Sequence, residues 1–115
     1  MHFKLIIALV EDDHSSQVIK AARDAGALGA TIISSARGEG SDTKKTFFGL
    51  QLENQRDVIL FLVEEHLARS ILEIIEQAGD MDQPDTGIAF QIDVEDAVGI
   101  APQVKKLTEI VEEEL

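Results

Sequence analysis

The chain has 115 residues, room for one domain, and its 44% hydrophobic content and mean hydropathy of +0.02 exclude a disordered chain. No cysteine is present, which rules out disulfides, zinc–thiolate sites and thiol catalysis. The formal charge of −12 argues against nucleic-acid binding, which depends on neutralising phosphates. Residues 1–63 carry seven basic and eight acidic groups, whereas 64–115 carry three and fourteen, so the second half is expected to present an acidic, solubilising surface.

Leu5–Val10 is a continuous apolar run of strand length, which suggests a strand covered on both faces. It falls far short of the ~20 residues of a membrane helix, and the start at Met1-His2-Phe3-Lys4 does not resemble a signal peptide. Glu11-Asp12-Asp13-His14-Ser15 is suited to starting a helix, with Asp12 or Asp13 as the expected cap. Val18, Ala21, Ala22 and Ala25 recur at helical spacing, and Gly26 should end that helix. A second strand is predicted over 30–35, with β-branched Thr31, Ile32 and Ile33. A polar, glycine-punctuated loop follows from Arg37, interrupted by the apolar patch Phe47-Phe48-Gly49-Leu50. The third strand is expected over 58–63 and a second helix from Glu65 to Ala78, with Leu67, Ile71, Leu72, Ile74 and Ile75 on one stripe. A polar loop over 79–87 leads to a fourth strand, 88–94. The tail from Pro102 reads as a helix with Val104, Leu107, Val111 and Leu115 on one side and glutamates on the other.

The order β-α-β-β-α-β is the ferredoxin-like split pattern, an α+β sandwich with both helices on one face of a single sheet and a C-terminal helix added. Strands apolar on both sides require a second cover, and self-association is the simplest one. Candidate binding residues are few. Gly38 and Gly40 could bring backbone N–H groups to a ligand. Arg37, Lys44, Lys45 and Arg56 flank the first long loop and could hold an anion or solvate the loop. Phe47 and Phe48 are either an anchor under the loop or a partner-binding tip. His2, His14 and His66 share no metal-ligand spacing, and Asp80, Asp82 and Asp85 lack the glycine and terminal glutamate of a calcium loop. No catalytic constellation stands out, so the chain does not read as an enzyme.

These features carry a resemblance to the PII signalling family over about residues 4–101. Gly29-Ala30-Thr31 through Arg37-Gly38-Glu39-Gly40 is similar to the family's second strand with its Gly-x-Gly end, and Phe90 to Val98 to its last strand and turn. The resemblance implies one domain, 1–101, with a partner-binding T-loop at about 38–56, a phosphate-gripping B-loop at about 79–87, and a tail, 102–115. It implies a homotrimer whose intersubunit clefts bind a small effector, with an adenine nucleotide as the candidate and no resident cofactor assigned. The cleft residues would be Thr31, Arg37, Gly38, Gly40, Arg56, Thr86 and Gly87; the partner-binding tip would be Lys44, Lys45, Phe47 and Phe48. A cytoplasmic protein acting on a protein partner, a membrane transporter among the candidates, would follow, without membrane insertion of its own.

Several positions depart from the family. Its C-terminal arginines fall on Gly99 and Ala101, its B-loop lysine on Gly87, its T-loop glutamine near Asp42, and no tyrosine exists to be uridylylated. A triphosphate would meet fewer charge-assisted donors here, so a less charged nucleotide such as a monophosphate fits better than ATP. Two alternatives remain at this level: a CutA-like metal-binding trimer, and a structural trimer with a degenerate cleft.

Overall fold

The computed structural model describes residues 1–36, 46–47, 50–51, 56–100 and 108–109. Its elements are β1 (Phe3–Glu11), a 3-10 turn (Asp12–His14), α1 (Ser15–Asp24), β2 (Thr31–Ala36), the short strands β3 (Thr46–Phe47) and β4 (Leu50–Gln51), β5 (Arg56–Glu64), α2 (Glu65–Ala78) and β6 (Gly87–Val94). Four strands form one antiparallel sheet in the order β2-β5-β1-β6, and β3 pairs with β4 as a separate ribbon.

Alternation along the central strands decides which face is covered. Ile6, Ala8 and Val10 of β1 and Ile59, Phe61 and Val63 of β5 are buried. They form one core with Val18 and Ala22 of α1 and Leu67, Ala68, Ile71 and Ile75 of α2. Both helices therefore lie on one face. The opposite face carries Leu5, Ile7 and Leu9, with Leu62, Leu60 and Val58 opposite them on β5 and Ile92, Phe90 and Ile88 on β6. In the single chain this face is open: Ile33 is 52% exposed, Leu62 36% and Ile92 47%. The apolar character read on both sides of the strands thus has two different outcomes, one face sealed by helices and one left bare.

The helix ends show where local expectation and structure part. Gly26 ends α1 with φ 119°, a conformation that glycine adopts without penalty. The expected cap at Asp12 or Asp13 does not form. No side chain caps α1 or the 3-10 turn before it. Ser15, the first residue of α1, instead donates its Oγ–H to the buried Asp57 of β5 at 2.5 Å, tying the helix to the sheet. At α2 the cap is Glu64, 2% exposed, which accepts from the His66 backbone N–H at 2.8 Å. The third strand starts at Arg56, two residues earlier than its apolar run, because Arg56 still pairs with Glu11. Arg56 is therefore sheet and not loop. Of the tail, only Thr108 and Glu109 are described, with helical backbone; the rest of the expected terminal helix lies outside the described residues.

Candidate functional site

One end of the sheet gathers most of the expected cleft residues that the structure describes. Ala36, which directly precedes Arg37, pairs with Arg56; Arg56 pairs with Glu11; Val10 pairs with Gly87. The strand ends that lead into and out of the first long loop and out of the second therefore meet at one end of the sheet. Arg56 sits at the centre of this junction and is 1% exposed. Its Nη1–H donates to the Thr86 carbonyl at 3.0 Å and its Nη2–H to the Asp85 carbonyl at 2.6 Å. Nη1 also lies 3.8 Å from Glu11 Oε1. The guanidinium thus fastens the 79–86 loop to the sheet.

The loop is closed from within as well. Thr86 Oγ1 lies 2.6 Å from the Asp80 carbonyl and 3.0 Å from that of Gln83, sharing its proton between them. Asp80 and Asp85 hold positive φ, at 52° and 62°. Gly87 is buried where β6 begins, and a Cβ there would stand 2.6 Å from the Leu9 carbonyl oxygen. A side chain at this position would therefore force the β1 and β6 backbones apart.

Thr31 is placed elsewhere. It pairs with Leu60 and borders a pocket of about 350 Å³ with Phe3, Leu62 and Ile100, on the open face. Five residue steps along β2 separate it from the Arg56 junction, roughly 16 Å. Within one chain Thr31 and the junction do not form one site. A second hollow, about 270 Å³, runs between α2 and β6 past Arg69, Glu73, Glu76, Met81 and Gly87. Arg37, Gly38, Gly40, Lys44, Lys45 and Phe48 lie outside the described residues, and of Phe47 only the backbone is described, in β3.

Two groupings of metal-ligating side chains occur among the described residues, and the reading by sequence spacing passed over both. Glu11, Asp13 and His14 converge beside Arg56, and Glu64, Glu65 and His66 converge at the far end of β5. The signal was local: a 3-10 turn directly after a strand brings positions i, i+2 and i+3 together. At the second grouping, His66 Nδ1 lies 2.5 Å from Glu64 Oε1. That hydrogen bond, and then the carboxylate's charge, raise the His66 pKa above the usual imidazole value. On β6, hydrogen bonds from His2 and then Lys4 hold Asp93 below the usual carboxylate value.

The family model of the nitrogen regulatory protein P-II matches residues 3–104. The chain belongs to the P-II family. Its fold is similar to that of CPII from Thiomonas intermedia K12, solved bound to ADP, AMP and acetate, with a TM-score of 0.66, 21% identity, and 86% of this chain and 92% of that one covered. It is also similar to a PII-like signalling protein, described as putative, from Thermus thermophilus, with a TM-score of 0.60, 26% identity, and 82% and 87% covered. No curated protein sequence matches it. P-II family members are in general signalling proteins. No helix among the described residues is long and apolar enough to cross a membrane.

Proposed function

We propose that this P-II family protein is an effector-responsive regulator, not an enzyme, that works as a homotrimer in the cytoplasm. The observation that carries the reading is the Arg56 junction, where the ends of both long loops are held together by a buried guanidinium on the Asp85 and Thr86 carbonyls. A ligand that changes either loop there acts on the other. Membership of the family and the similarity to a CPII structure holding ADP and AMP support an adenine nucleotide as the effector class.

The open sheet face supports assembly. Leu62, Ile92 and Ile33 stay in water unless copies of the chain cover them. Assembly would also bring a neighbour's surface to Thr31, which a single chain leaves apart from Thr86 and Gly87. Arg37, Gly38 and Gly40 would supply the phosphate contacts, and Arg56 would shape the loop opposite. Lys44, Lys45, Phe47 and Phe48 would present the surface for a protein partner, with a membrane transporter as the proposed kind. Ligand control then requires that the effector bind one loop arrangement more tightly than the other.

Calorimetric titration with ATP, ADP, AMP and cyclic AMP, with and without magnesium and 2-oxoglutarate, tests this. Binding of one of them, lost in Arg37→Ala, is the expected result. Silence with all of them would leave a structural trimer with a degenerate cleft.

A further inference from the structure

The Glu11–Asp13–His14 cluster has features that the effector reading leaves unexplained. His14 is 21% exposed, yet its Nδ1 atom is sealed from solvent and makes no hydrogen bond. It faces two carboxylates, at 3.6 Å from Glu11 Oε2 and 3.4 Å from Asp13 Oδ1. Those separations exceed the ordinary N–H···O range of about 2.7–3.2 Å. They match a different geometry. Ligand atoms held about 2.0–2.2 Å from a tetrahedral zinc ion stand roughly 3.4 Å from one another. The imidazole nitrogen thus stands from each carboxylate at about the spacing of two ligands on such an ion, and the three ligand atoms all lie within 4.8 Å of one another.

The surroundings orient the set. Glu11 points Oε2 at His14 and Oε1 at Arg56 Nη1, 3.8 Å away, and Arg56 is fixed by the Asp85 and Thr86 carbonyls. An outer partner of this kind sets the direction of a ligating carboxylate. Asp13 and His14 are held by the 3-10 turn that follows β1. With neutral imidazole the three groups carry a net charge of −2, or −1 with the neighbouring Arg56 counted, so a divalent cation still meets a net negative site. The mixed nitrogen and oxygen donors suit a first-row ion such as Zn²⁺ better than Mg²⁺ or Ca²⁺, which favour oxygen ligands alone.

We infer that Glu11, Asp13 and His14 form a site for a first-row divalent cation of the Zn²⁺ class, with a water completing its shell. This site stands independently of the nucleotide reading. It also adjoins the effector junction: a cation that pulls Glu11 toward itself alters the partner of Arg56, and Arg56 holds the 79–86 loop.

The test uses full-length protein without an affinity tag, stripped by chelator and titrated calorimetrically with Zn²⁺, and with Co²⁺ by visible absorption. One high-affinity ion per chain and the intense visible bands of tetrahedral Co²⁺ are expected. His14→Ala and Asp13→Asn should each weaken Zn²⁺ binding more than about tenfold. Asp13 is 76% exposed, so its replacement leaves the fold intact and keeps the test sound should His14→Ala fold poorly. His66→Ala, in the other cluster, should change nothing. Absence of binding below millimolar Zn²⁺ would overturn the inference. So would affinity unmoved by Asp13→Asn, or lost in His66→Ala instead.

Discussion

Replacing Arg56 by methionine separates a fastening role from a ligand-binding one. Methionine keeps much of the apolar stem but removes the guanidinium. Two hydrogen bonds from a charged donor are lost, at 3.0 Å to Thr86 and 2.6 Å to Asp85. Bonds to charged groups contribute about 1.5–3 kcal/mol each. Asp85 is exposed and Thr86 half-buried, so water recovers part of the loss at the freed carbonyls. The Glu11 pair at 3.8 Å is partly solvated and adds under about 1 kcal/mol. The expected destabilisation is about 2–4 kcal/mol, a large share of the roughly 5–15 kcal/mol of a typical domain. Arg56→Lys keeps the charge but not the fork that spans two carbonyls, and should lose about half as much. Urea unfolding reads both, at one fixed protomer concentration because the proposed assembly would make stability concentration-dependent. Hydrogen exchange over 79–87 should quicken in step. A methionine variant within about 0.5 kcal/mol of wild type would refute the fastening role. If that variant also lost nucleotide binding, Arg56 would be a direct ligand group.

Gly87→Ala should destabilise the protein by about 1–3 kcal/mol in the same assay, because its Cβ meets the Leu9 carbonyl at 2.6 Å and β6 must shift; Gly87→Lys should fare no better as a restored phosphate ligand. Ile71→Ala empties a fully buried position under α2 and should lower stability by about 2–5 kcal/mol. Leu62→Glu and Ile92→Glu place charge on the open face and should convert the proposed trimer to folded monomer in analytical ultracentrifugation; assembly as tight as that of the parent protein would show that another surface carries it. The pairing of His66 with Glu64 favours its protonated form in the folded chain. Its contribution to stability is therefore full below the usual imidazole pKa and fades as pH rises through the raised value. NMR titration should find His66 titrating high, and Glu64→Gln should bring it back; a normal value in the parent would contradict the contact.

How much of this was legible beforehand varies by element. Leu5–Val10 and Val58–Val63 announced central strands because six consecutive apolar residues have few other places to go. The stripe of α2 was equally plain, and α2 runs Glu65–Ala78 as its periodicity required. Gly26 marked the end of α1 because few other residues take its φ. Arg56 and Thr86 were expected to lie near one another, and Arg56 does reach the Thr86 and Asp85 carbonyls. What could not be read was how. Arg56 looked like a cation facing a ligand or solvent because a lone charge beside a polar loop gives no sign of burial.

The pairings that matter here join residues far apart in the chain. Ser15 reaches Asp57, Arg56 reaches Asp85 and Thr86, and Val10 lies against Gly87. Local propensity expected Asp12 or Asp13 to cap α1; the tertiary fold offered Ser15 a buried carboxylate instead, and the cap was left unmade. Nothing around Gly87 in the chain announced the Leu9 carbonyl that lies against it. The sequence by itself settled the order of the four main strands and two helices and the acidic half, since periodicity and composition are local properties, but the short ribbon of β3 and β4 read as loop. Only the folded chain decided which face the helices seal, which charges are buried, and that Glu11, Asp13 and His14 converge with Glu11 beside Arg56. Those outcomes depend on strand register, and register is fixed by the packing of the whole sheet.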